Sequence, residues 1–164
     1  MGKEIERKFL VRDDSWRPGA GGTLYRQGYL STSMKRVVRV RIFDKSGFLT
    51  VKGVTRGICR AEYEYEIPFK DACEMLDHLC RRPLIEKNRY RIEYGGLTWE
   101  VDEFLGENAG LVLAEVELAL EDQEINLPPW IGKEVSEDPR YFNANLVENP
   151  YRRWATEKGG GSPP

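Results

Sequence analysis

At 164 residues the chain suits one domain with a sizeable core, and its 40% apolar and 32% charged content describes a globular protein unusually rich in ionic side chains. The formal net charge of −2 argues against a general nucleic-acid binder, although it leaves room for a strongly basic local site. Met1 to Leu10 lacks the apolar core of a signal peptide and no stretch approaches the length of a membrane span, so a cytoplasmic protein is expected.

Alternating runs bounded by turn residues predict strands over Lys3–Val11, Thr23–Ser31, Arg36–Phe43, Phe48–Val54 and Cys59–Pro68. Asp44–Gly47 and Gly53–Gly57 mark turns between them. Lys70–Arg82 carries Ala72, Cys73, Met75, Leu76, Leu79 and Cys80 at helical spacing and is stopped by Pro83. Its His78 is the only histidine, and Cys59, Cys73 and Cys80 lack zinc-site spacing, so free thiols and a chemically idle histidine are expected. Strands resume over Leu84–Tyr94, Leu97–Phe104 and Leu111–Leu120, the first two joined by a Gly95-Gly96 hairpin signal. Past Pro128-Pro129, Trp130–Val135 and Arg140–Leu146 read as short helices, and Gly159–Pro164 reads as a disordered tail or a vector-derived remnant. About eight strands in mostly antiparallel order suggest a closed barrel or a large sandwich.

Parity is the informative feature, because side chains two residues apart on a strand share a face. Glu4, Glu6 and Lys8 face one way, as do Arg39 with Arg41, and Thr50 with Lys52. Arg60, Glu62, Glu64 and Glu66 share a face, as do Lys87, Arg89, Arg91 and Glu93. Glu100 with Asp102, and Glu115 with Glu117, continue the pattern, while the alternate positions are mainly aliphatic or aromatic. A half-buried strand with one wet face alternates in the same way. Ordinary wet faces, however, favour threonine, serine and glutamine, and acids and bases are here largely segregated by strand. Arginine and lysine clusters of that kind repel unless an anion lies between them, and the glutamate clusters want cations. Were these faces turned inward, the lumen would suit a polyphosphate with divalent ions, phosphoryl oxygens meeting the bases and metal meeting the carboxylates. Parity alone leaves inside and outside open.

Glu4-Ile5-Glu6-Arg7-Lys8-Phe9-Leu10 is similar to the N-terminal ExExK strand of the CYTH, or triphosphate tunnel metalloenzyme, superfamily. The later elements follow in the family's order. They are Arg26 to Leu30, the pair Arg39 and Arg41, Thr50 to Lys52, the RxExE of Arg60, Glu62 and Glu64, Glu86 to Arg91, Asp102, and Glu115 with Glu117. The resemblance covers about Gly2 to Asn149 and is nearest to the small bacterial inorganic-triphosphatase-like members, so the domain is placed at 1–150 and a tail at 151–164. It implies a mainly β fold, a closed eight-stranded antiparallel β-barrel tunnel with a few peripheral helices and its charged faces inward. It further implies that Lys8, Arg39, Arg41, Lys52, Arg60, Lys87 and Arg89 bind a small-molecule triphosphate. Glu4, Glu6, Asp102, Glu115 and Glu117, with Glu62 and Glu64, would hold Mg²⁺ or Mn²⁺, and Arg91 and Glu66 would support the lumen or rim. Tyr29 with Lys52 is offered by the same resemblance as a water-activating pair.

The expected activity is metal-dependent hydrolysis of the phosphoanhydride bond of inorganic tripolyphosphate or nucleoside triphosphates. No nucleic-acid or membrane partner is expected, and the protein would be a monomer or homodimer. A class IV-type adenylyl cyclase and a non-catalytic polyphosphate-binding module are the alternatives. No Walker-type glycine-lysine loop is present, which argues against a P-loop nucleotidase.

Overall fold

The computed structural model describes residues 2–19 and 21–157, so the GGGSPP end lies outside the described residues. The elements are β1 (Lys3–Val11), β2 (Thr23–Ser33), β3 (Arg36–Phe43), β4 (Ser46–Lys52), β5 (Cys59–Ile67), α1 (Phe69–His78), β6 (Ile85–Tyr94), β7 (Leu97–Phe104), β8 (Val112–Glu117), β9 (Ile131–Glu134), α2 (Asn143–Glu148) and α3 (Tyr151–Glu157). Neighbouring strands follow the order β5-β4-β3-β2-β6-β7-β8-β1-β9. Pairing of β1 with β5 through Lys3↔Ala61, Glu4↔Arg60 and Ile5↔Cys59 closes the first eight strands into a ring. All pairings in it are antiparallel, and the result is the expected eight-stranded tunnel.

The ninth strand was expected as a helix over Trp130–Val135. A run that short fits either period, and tertiary context decides it. Here the free edge of β1 decides: Arg12 N–H donates to the Trp130 carbonyl at 2.9 Å and Val135 N–H to that of Lys8 at 2.8 Å. The second expected helix, Arg140–Leu146, resolves into a 3₁₀ turn at Pro139–Tyr141 followed by α2.

Three apolar clusters surround the ring, and together they decide which face is inside. On the outer wall of β1, β7 and β8, Ile5, Phe9, Trp99, Val101, Ala114 and Val116 are covered by Trp16, Trp130 and Ile131. On the outer wall of β3, Val40 and Ile42 meet Ala72, Leu76 and Cys80 at the α1 side. That contact needs small residues on the barrel: a Cβ on Gly28 would stand 2.6 Å from the Cys80 Cβ, and one on Gly47 would stand 2.7 Å from the Ala72 Cβ. The third cluster lies at one end of the ring, where inward positions turn apolar at Leu10, Tyr29, Val37, Ile85, Phe104 and Leu113. Tyr141, Ala144, Leu146 and Val147 pack onto that end with Tyr151 and Trp154 of α3. Residues 151–157, expected as part of a tail, thus begin with a helix docked in the core, and the tunnel is closed at this end.

No helix among the described residues is long and apolar enough to cross a membrane.

Candidate functional site

Inside the ring lies a cavity of about 330 Å³. Strand register fills it. The expected bases Lys8, Arg39, Arg41, Lys52, Arg60, Lys87 and Arg89 all line it, as do Glu4, Glu6, Glu62, Glu64, Glu115, Glu117 and Tyr29. Arg91 and Glu100 join them, the former across from the latter.

Acids and bases sit in alternating sectors because neighbouring strands bring them into register. Lys52 lies opposite Glu62, and Thr50 is flanked by Arg39 and Glu64. Lys52 Nζ stands 3.3 Å from Glu4 and 3.1 Å from Glu62. Glu64 accepts from the Thr50 hydroxyl at 2.7 Å and lies 3.2 Å from Arg39 and 3.4 Å from Arg41. Burial raises the Glu64 carboxyl, but Thr50, Arg41 and Arg39 outweigh it and the group ends below its ordinary value.

Other bases are under-compensated. Lys8 donates to the Tyr141 carbonyl at 3.2 Å and stands 5.5 Å from the Phe142 ring centroid, and among the described residues it has no carboxylate within 4 Å. Burial, then the charges of Arg39 and Arg89, pull Arg41 down to about 10, which leaves it cationic at neutral pH but poorly balanced. The Nε–H groups of Arg39, Arg41 and Arg60 are buried without any hydrogen-bond partner. A buried donor left unpaired costs about 1–3 kcal/mol, so three in one cavity point to an acceptor-rich guest.

Asp102, expected among metal ligands, is placed differently. It is completely buried, and it is absent from the cavity lining. Arg89 grips it with a fork of 2.7 and 2.8 Å, and Lys87 Nζ adds a contact at 2.9 Å. Burial raises this carboxyl, but Arg89 and Lys87 outweigh burial and hold it low. As placed, its oxygens are turned to these two cations and it stands behind the cavity lining.

The remaining carboxylates crowd one wall. Glu6 lies directly opposite Glu117, and Glu100 opposite Glu115, pairings of like charge that destabilise a sheet unless something neutralises them. Burial, then Glu115 and Glu4, push Glu6 well above its ordinary range, while Glu115 is held well below despite burial by Lys8, the Glu6 hydrogen bond and Arg89. Glu62 is raised by burial and by Glu4, and Glu117 by burial, Glu4, Glu62 and Glu100. Glu4 is lowered, since Lys52 and a hydrogen bond with Glu62 overcome its burial. The raised carboxyls are those whose surroundings would welcome a further positive charge. Among the described residues no three acidic, cysteine or histidine side chains form a ready-made metal cage. The donor set nevertheless fits a hard divalent ion in kind: all oxygen, like-charged and stacked on adjacent strands.

Tyr29 and Lys52 have separate partners. No hydrogen bond joins them: Tyr29 Oη accepts from Gln27 Nε2 at 2.8 Å, and Lys52 serves the two glutamates. Asn143 lines the cavity and Gln27 lies behind it on Tyr29, and the motifs assign neither a role. Gln27 shares parity with Tyr25 and Tyr29 on β2, a signal that was available. Asn143 comes from α2, outside any strand pattern, and only packing brings it to the lumen.

The CYTH domain family model matches residues 2–151. An inorganic triphosphatase from Acetivibrio thermocellus is 56% identical over 154 residues, covering 94% of this chain and 99% of the relative. An inorganic triphosphatase from Nitrosomonas europaea is 39% identical over 152 residues, covering 88% of this chain and 96% of the relative. The crystal structure of an inorganic triphosphatase superposes with a TM-score of 0.63 at 38% identity, covering 88% of this chain and 93% of the other. A charged tunnel assembled in this order, and matched over nearly its whole length, places the chain in the CYTH domain family.

Proposed function

We propose that the protein is a metal-dependent triphosphatase, hydrolysing the terminal phosphoanhydride bond of inorganic tripolyphosphate or a nucleoside triphosphate and releasing orthophosphate. The observation that carries this reading is the set of three buried, unpartnered arginine Nε donors inside a closed-ended tunnel that also crowds like-charged carboxylates on β1, β7 and β8. A polyanion with a divalent cation satisfies both sets at once. The names of the relatives at 56% and 39% identity point the same way.

In this reading Lys8, Arg39, Arg41, Arg60, Lys87 and Arg89 bind and neutralise the phosphoryl oxygens. The developing charge of phosphoryl transfer lies on those oxygens, so fixed cations in an enclosed site supply rate as well as affinity. Glu4, Glu6, Glu115 and Glu117 would hold Mg²⁺ or Mn²⁺, with Glu62 and Glu64 at the Lys52 and Arg39 side. When bound, the metal supplies Lewis-acid polarisation of the phosphoryl group. Lys52, held between Glu4 and Glu62, is positioned to exchange those partners for substrate oxygen. Tyr29 presents a hydroxyl at the closed end, next to the apolar plug that limits entry of water.

Phosphate release from tripolyphosphate, ATP and GTP, each with Mg²⁺, Mn²⁺ or chelator, tests the reading. Release that requires metal is expected. Cyclic AMP from ATP without orthophosphate would replace hydrolysis with the cyclase chemistry, and tight polyphosphate binding without turnover would leave a binding module.

A further inference from the structure

A short chain of polar side chains runs beneath the closed end of the tunnel, and only one assignment of its amide atoms satisfies it. Lys87 Nζ, a pure donor in its ammonium form, lies 2.9 Å from a side-chain atom of Asn143 that is then Oδ1. The Gln27 atom 3.2 Å from that oxygen must then be the nitrogen Nε2, and the same nitrogen lies 2.8 Å from Tyr29 Oη. Both Nε2 hydrogens are used, one on Asn143 and one on Tyr29. Tyr29 accepts in this bond and keeps its own phenolic hydrogen. Among the described residues no side chain or carbonyl takes that hydrogen, and none takes the Nδ2 hydrogens of Asn143. Gln27 is wholly buried, and its Oε1 has no partner. The orientation is therefore imposed from the Lys87 end and not by what would satisfy Gln27 itself.

We infer that Gln27 and Asn143 are positioning residues of the triphosphatase site: the chain Lys87→Asn143←Gln27→Tyr29 locks Tyr29 so that its hydroxyl hydrogen is free for the phosphoryl oxygens at the closed end. The inference rests on the hydrolase reading above and extends it to two residues that touch the chemistry only through Tyr29 and Lys87. A phenol able to rotate would spread its hydrogen over several directions, whereas one that already accepts a fixed bond has fewer left. Lys87 ties the same relay to Asp102, so the amides share an anchor with the anion-binding wall.

A double-mutant cycle tests it. Steady-state hydrolysis of tripolyphosphate with Mg²⁺ is measured for the wild type, Gln27→Leu, Asn143→Leu, Tyr29→Phe and the Gln27→Leu/Tyr29→Phe pair. Gln27→Leu is expected to lower kcat about tenfold, the scale of one hydrogen bond, with little change in KM. In the Tyr29→Phe background it should cost nothing further. A purely structural role for Gln27 would instead lower kcat by the same factor in both backgrounds, and that result overturns the relay. So does a Tyr29→Phe enzyme as fast as the wild type. Should Gln27→Leu fail to fold, Gln27→Met with Gln27→Met/Tyr29→Phe decides the matter by the same criterion; Asn143→Leu, which also loosens Lys87, should lose part of its cost in the Tyr29→Phe background, and an undiminished cost removes Asn143 from the relay. Wild-type turnover is the separate control: its absence removes the hydrolase reading and the relay with it, whereas turnover with additive losses removes the relay alone.

Discussion

Burial draws Lys87 down to about 8, although Asp102 stands 2.9 Å away and opposes the shift, because the Arg89 charge works with desolvation. The folded value lies below the ordinary 10.5, so between the two the unfolded chain holds a proton that the folded protein has released. For this group alone stability is lowest below about 8 and rises as pH climbs towards 10.5. Binding runs the other way, since a neutral amine no longer attracts phosphate. We expect kcat/KM for tripolyphosphate, which reports the free enzyme, to fall above about pH 8. In Lys87→Arg the guanidinium stays charged and that limb should disappear even if the overall rate is lower; a limb unmoved at the same pH would assign it to another group. Two further substitutions separate chemistry from folding. Lys52→Ala and Glu117→Ala should each lower turnover by about 10²–10³-fold, the scale of losing one preorganised charge contact, with an unchanged circular dichroism spectrum. Turnover near the wild-type level in either variant would remove that residue from the site.

At the scale of elements, the helices matter for what they close. α3 brings Tyr151 and Trp154 onto Tyr141, with edge-to-face rings at 4.9 and 5.2 Å from Trp154. Trp154 Nε1 also donates to the Asn149 carbonyl at 3.1 Å. Trp154→Ala should lower the unfolding free energy by about 3–5 kcal/mol, read as a lower midpoint in urea, because it empties the centre of the end plug. Strands were legible to within a few residues because their alternation is strong and turn glycines bound them. β9 was not. Its apolar Trp130, Ile131 and Val135 serve either period, and the β1 edge that recruits it lies more than a hundred residues away in sequence. The helix expected to run to Arg82 ends at His78, with Leu79 N–H closing the last turn on Met75 at 2.9 Å.

For the molecule as a whole, the carboxylate wall couples metal, protons and stability. Glu6, Glu62 and Glu117 carry raised values, so above the ordinary carboxylate range the folded protein holds protons that the unfolded chain has given up. Their contribution to stability falls as pH rises through those raised values. Glu115 and Asp102 contribute in the opposite sense, their stabilisation being lost as pH falls through their lowered values. A divalent cation bound at this wall would compete with protons for the raised groups. The gain in Tm on adding Mg²⁺ should therefore grow from acid towards neutral pH, and calorimetry in buffers of different ionisation enthalpy should detect proton release on binding. A gain in Tm that does not change with pH would separate the metal from this wall.

Two-residue parity and the kinds of side chain involved were enough to mark the charged faces, since alternation along a strand is local geometry. The sequence by itself therefore determined which residues could share a lumen, and with the order of its motifs the family that the chain resembles. Tertiary structure alone decided that these faces point inward, by covering the opposite faces with Trp16, Trp130 and α1 and by plugging one end with α2 and α3. It also decided that Asp102 sits behind Lys87 and Arg89, and that Asn143 meets Gln27, because long-range packing sets those contacts and leaves no local repeat to read.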